Sequence, residues 1–137
     1  MGTWAVDAFG NDYAQDWAQD LHETSNMDAV EDTVNTALDT AAGELEAPFA
    51  AEALVAIEVL ARLQGKGGVR GRDSVAVDEW VDARKPKAKP RADLAEKAVR
   101  ALDRILSEQS ELRALWEDSE HYEAWRAAVE DLRARIV

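Results

Sequence analysis

Residues 48–64 constrain this fold more than any other stretch of the chain. Pro48 stands where a proline is tolerated, in the first turn of a helix, and Gly65 stands where a helix stops. Between them Phe49, Ala50, Ala53, Leu54, Ala56, Ile57, Leu60, Ala61 and Leu63 leave almost no polar side. A helix that is apolar nearly all round has to be buried all round, so the remaining elements must surround it. Glu52, Glu58 and Arg62 interrupt the run, which makes it too short and too charged to cross a membrane. The sequence therefore predicts an all-α fold: a single-domain helical bundle of about five to seven helices around a central apolar helix at about 48–64.

The flanking periodicity agrees with this plan. Asn11 is a good N-cap, and Asp12 follows in the first turn, where the helix dipole favours a carboxylate. Tyr13, Ala14, Trp17, Ala18 and Leu21 then form one apolar stripe, predicted to be buried. Ser25 can cap a helix over 26–42, striped by Ala29, Val30, Val34, Ala37, Leu38 and Ala41 and stopped by Gly43. A short helix over 77–84 presents Trp80, and Leu94, Ala98, Leu102, Ile105 and Leu106 mark the next one. Ser110 can cap a helix over 111–117, and Ser119 can cap the last. There Tyr122, Trp125, Val129, Leu132 and Ile136 step by three and four, a coiled-coil-like seam. Strand signals are nearly absent. Trp4 and Phe9 precede the first helix and are read as a staple of the N-terminus onto the bundle. The whole of 1–137 reads as one domain, with a flexible basic loop at 65–72 and a basic, Pro-containing linker at 85–91.

Charge is strongly segregated along the chain. The first 61 residues hold 13 carboxylates and no Lys or Arg, whereas Arg62 to Arg91 hold nine basic and four acidic residues. The last 46 residues carry eleven acidic and seven basic side chains, and the net charge is −12. Such a field repels nucleic acid as a whole, so specific nucleic-acid binding is not expected. The basic stretch 84–91 has no reader motif and, beyond Trp80, no interleaved aromatics. An acidic face suits a basic protein partner; equally, the linker could lie across the acidic helices of its own fold or of a second copy, giving self-association. There is no Cys, hence no disulfide and no thiolate chemistry. No secretory signal or membrane span is read, and a cytoplasmic protein is expected.

Signals for catalysis are weak. His22 and His121 form no pair at ligand spacing. Gly65-Lys66-Gly67-Gly68 follows a helix and lacks the Gly-Lys-Ser/Thr ending of a phosphate loop. Asp12, Asp16 and Asp20, four residues apart, share one helix side; a solvated acidic face explains them better than a divalent ion, which needs ligands from a second element. Glu58 is the sharper case. It lies mid-way along the most apolar helix, and a buried carboxylate must be paired or protonated. Arg62, one turn on, is its nearest partner in sequence, with Arg126 or the N-terminal segment as candidates through space. Glu52 is a weaker version of the same problem.

Met1, Gly2, Trp4, Phe9, Asn11, Asp12, Ala14, Asp16 and Trp17 together resemble the opening signature of a bacterial family of unknown function, of the type Met-Gly-x-Trp-Gly-x-Gly-x-Phe-Asp-Asn-Asp. The alanine-rich Glu52-Ala53-Leu54-Val55-Ala56-Ile57-Glu58 resembles its central helix. Ser110-Glu111-Leu112-Arg113-Ala114-Leu115-Trp116-Glu117 and Trp125-Arg126 resemble its C-terminal signature. Ala5 and Asp7 replace the two glycines of the opening signature, and Gly10 replaces its first Asp. The resemblance implies a small helical bacterial domain and brings no activity with it.

The reading that follows is a non-enzymatic interaction module of immunity-protein or antitoxin type. Its partner-facing carboxylates would be Asp12, Asp16, Asp20, Glu23, Asp28, Glu31 and Asp32. Trp4, Phe9, Asn11, Trp17, Glu58 and Arg126 are assigned structural or buried polar roles. The alternative is a small metal- or ligand-binding protein or enzyme using Glu58 with Asp12 or Asp16. No cofactor motif and no catalytic set is assigned.

Overall fold

The computed structural model describes residues 12–21, 23, 28–39, 45–66, 74–84 and 92–136. Trp4, Phe9, Asn11, Ser25, Gly43, the linker 85–91 and most of the loop 65–72 lie outside these. Among the described residues there are seven helices and no strand: α1 (Asp12–Leu21), α2 (Asp28–Asp39), α3 (Ala47–Leu63), α4 (Val75–Arg84), α5 (Ala92–Ile105), α6 (Glu111–Glu117) and α7 (Tyr122–Ile136). The fold is all-α.

α3 is the axis of the bundle and packs against each of the other six helices. Its residues from Ala53 to Arg62 are all buried, on every side. Three of them, Ala53, Ala56 and Ala61, are alanines, whose small side chains let surrounding helices approach closely. The core is completed by Val30 and Val34 of α2, Val77 and Trp80 of α4, Leu94, Leu102 and Ile105 of α5, and Trp125, Leu132 and Ile136 of α7. The α7 seam is buried as its 3–4 spacing requires, with Tyr122 partly buried at its start.

Both ends of α3 are finished by specific bonds. At the C-terminus Gly65 takes φ 77°. Lys66 N–H donates to Ala61 O (2.8 Å) and Gly65 N–H to Arg62 O (3.0 Å). This is the paired bond pattern of a left-handed glycine stop. At the N-terminus Glu46 makes no side-chain cap. Instead the Glu111 carboxylate, 64 residues later, accepts from Ala47 N–H at 2.7 Å. Leu45 N–H donates to Gln109 O and Glu111 N–H to Leu45 O, so the starts of α3 and α6 are tied together. α6 has its own cap, with Ser110 Oγ accepting from Arg113 N–H at 3.2 Å.

Two apolar side chains differ from the sequence reading. Tyr13, placed in the buried stripe of α1, is 45 % exposed, and Phe49 at the start of α3 is 37 % exposed. Each lies in the first turn of its helix. Tyr13 is also at the edge of its stripe, while Ala14, Trp17, Ala18 and Leu21 fill the buried side.

Candidate functional site

The acidic side of α1 faces solvent. Asp12, Asp16 and Asp20 are all exposed, one turn apart, with Tyr13 beside them. Glu23 is exposed in the turn that follows, where its N–H donates to Asp20 O. On α2, Asp28 and Asp32 are exposed one turn apart. Glu31 is half-buried and lies 3.6 Å from Lys97 Nζ of α5, so its charge is already answered from within the fold.

Trp17 fixes α1 relative to α2. Its buried indole N–H donates to Thr33 Oγ1 (2.9 Å), and that hydroxyl donates to Ala29 O (2.8 Å). A buried indole brings a large apolar surface and one donor that needs a partner, and Thr33 supplies it from the neighbouring helix.

Next to Thr33 the two acidic helices converge with the start of α3. Asp32, Thr33, Thr36, Phe49 and Glu52 line an open dimple of about 140 Å³. Burial pushes the Glu52 carboxyl above the usual glutamate value, and the Asp20 carboxylate on α1 raises it further. One carboxylate from each of α1, α2 and α3 therefore bears on the same place, beside an exposed phenylalanine. Among the described residues no Lys or Arg is paired with Asp12, Asp16, Asp20 or Asp32. The described residues also contain no group of three or more His, Cys, Asp or Glu placed to hold a metal ion.

A second cluster of charge lies at the opposite end of α3, and it is internal. Arg62 Nη1 donates to Glu58 Oε1 (2.8 Å) and Arg62 Nε to Asp78 Oδ1 of α4 (2.7 Å). Ser74 Oγ donates to Asp78 Oδ2 (2.7 Å). From α7, Arg135 grips both oxygens of Glu58, at 2.9 and 3.0 Å. The hydrogen bonds to Glu58 are the main reason the Arg135 guanidinium holds its proton more tightly than usual.

Arg126 is not the partner of Glu58. It is exposed and donates to Glu130, one turn along α7, at 3.2 Å. It follows Trp125 directly and is turned away from the α7 seam, whereas Arg135 borders the seam next to Ile136. Nothing local in the sequence marks Asp78 and Ser74 as members of this cluster beyond their spacing of four, the same as that of Glu58 and Arg62.

A family model described as "Domain of unknown function (DUF4259)" matches residues 2–128. The chain belongs to this family. The DUF4259 match spans α1 to α6 and the first part of α7; it takes in the dimple and Glu58, Arg62, Ser74 and Asp78, while Asp131 and Arg135 come after it. No curated protein and no solved structure matches the chain.

Proposed function

We propose that this protein is a non-enzymatic protein–protein interaction module, of immunity-protein or antitoxin type, that takes a basic protein on its α1–α2 face. The observation that carries this reading is the dimple at Asp32, Thr33, Thr36, Phe49 and Glu52, with Asp20 close enough to raise the Glu52 pKa. Interfaces gain most from a few central anchors in pockets, with an aromatic or arginine commonly involved. A lysine or arginine of the partner would rest its aliphatic stem on Phe49 and bring its charge to Glu52 and Asp32. Asp12, Asp16, Glu23 and Asp28 form the outer field that steers a basic partner towards that point. Tyr13 adds an exposed aromatic to the same helix. The reading takes the protein to be bacterial and cytoplasmic; no described helix is long and apolar enough to cross a membrane.

The test is a pull-down from host lysate with the wild-type chain and with Asp16→Lys/Asp20→Lys/Asp32→Lys, washed at about 50 and then 300 mM salt, which shortens the screening length about 2.5-fold. A stoichiometric basic protein held by the wild type and lost from the variant supports the reading. With that protein purified, the triple reversal should slow association by roughly tenfold or more at low salt. Equal retention by the two chains overturns the assignment of the face.

The use of Glu58 with Asp12 or Asp16 in metal or ligand chemistry finds less support. Both Glu58 oxygens are taken by guanidiniums, whereas Asp12 and Asp16 are exposed on another helix.

A further inference from the structure

The internal ion pairs form one continuous chain of alternating charge across three helices. It runs from Ser74 through Asp78, Arg62, Glu58 and Arg135 to Asp131, with every link between 2.7 and 3.0 Å. It touches both ends of the α3–α4 connection. Ser74 is the residue immediately before α4. At the other end, Arg135 Nη1 donates to the Lys66 carbonyl at 3.1 Å, directly after the glycine stop of α3. Glu58, Arg62 and Asp78 are 7 %, 4 % and 7 % exposed, so the middle of the chain is removed from water.

We propose that this chain of charges is a conformational coupling device, through which docking of the last turn of α7 fixes the start of α4 and both ends of the α3–α4 connection. The physical reason is that one atom, Glu58 Oε1, accepts from both Arg62 Nη1 and Arg135 Nη1. When the end of α7 lifts away, Glu58 loses both bonds from Arg135. A buried charge without its partner is strongly unfavourable. The set relaxes by drawing Arg62 onto Glu58 or by admitting water, and either move weakens the bond from Arg62 to Asp78. Asp78 then holds Ser74 less firmly, and the first turns of α4 lose order. The effect is reciprocal, because a coupling free energy acts equally in both directions. The other α7 ion pairs, Arg126–Glu130 and Arg133–Asp103, are exposed and screened by solvent, so they do not carry it. Since α4 also packs against α1, the device borders the helix that bears the acidic face, but it does not depend on any reading of that face.

Hydrogen exchange followed by mass spectrometry on the intact chain tests the proposal. Arg135→Leu should speed exchange by roughly tenfold or more both in the last turns of α7 and in α4, the size expected for a lost buried charge partner, and leave α2 unchanged. Arg133→Leu, one turn-edge away, should leave α4 as in the wild type. From the opposite end Ser74→Ala, a change mild enough to keep the fold, should speed exchange in the last turn of α7. Faster exchange in α7 alone after Arg135→Leu overturns the coupling. So does a uniform rise in every helix including α2, or an α7 unaffected by Ser74→Ala.

Discussion

Glu52 and Glu58 lie on the same helix, six residues apart, and meet opposite surroundings. Glu58 is buried and held by two guanidiniums from α3 and α7. Glu52 is half-buried, lines a dimple, and has Asp20 as its charged neighbour. The first arrangement turns a costly buried charge into a joint between helices. The second keeps a destabilising repulsion at a surface where a cation from outside could remove it. The contrast separates acids that the fold has used from acids that it presents, a distinction that net charge alone does not make.

The contrast can be broken most directly at Glu58. Glu58→Ala should cost about 3–5 kcal/mol in urea unfolding, because it takes the shared buried carboxylate away from two guanidiniums; a loss under about 1 kcal/mol would erase the difference between the two ends. Arg135→Ala should approach that cost at about 3 kcal/mol, whereas Arg126→Ala should stay within about 0.5 kcal/mol. Equal effects at the two arginines would mean that the internal pair is worth no more than a surface one. Ser110→Ala should remove about 1 kcal/mol by uncapping α6, with no effect on either acidic end. Glu52→Gln should be slightly stabilising at pH 7, by roughly 0.5 kcal/mol or less. The folded-state pKa of Glu52 lies above its unfolded value, so the wild type loses stability as pH rises through that interval and the glutamine variant does not. The advantage of Glu52→Gln should therefore vanish in thermal melts as pH falls towards the ordinary glutamate value. The smallest effect belongs to Asp16→Ala, within about 0.5 kcal/mol, and sizing at low and high salt should show no change of mass unless a second copy answers the acidic face.

Much of the fold was legible because its signals are local. The apolar run from Phe49 to Leu63, the 3–4 seam of α7 and the Ser110 cap each depend on residues within a turn or two of one another. Partner choice through space was not legible. Arg62 could be named for Glu58 from spacing alone, but choosing between Arg126 and Arg135 required knowing which side of α7 meets α3. Asp78 was hidden for the same reason, since its partner lies on another helix. The dimple is not legible because Phe49 is apolar at helical spacing like its buried neighbours, yet it lies in a first turn that they leave uncovered. The carboxylates lining the face were visible as a run without Lys or Arg, whereas their convergence with Glu52 depended on how three helices meet.

The bond from Ala47 to Glu111 has a consequence for biosynthesis. The most apolar helix of the chain leaves the ribosome long before its own first turn can be completed. At about 5–20 residues per second, the 64 residues separating Ala47 from Glu111 take roughly three to thirteen seconds to make. Glu58 waits longer still, since Arg135 follows 77 residues behind it. At the start of that interval α3 has only α1 and α2 to cover it and Glu58 has Arg62 as its guanidinium partner, so the sides later taken by α4 to α7 stay apolar and exposed, the kind of surface that chaperones cover.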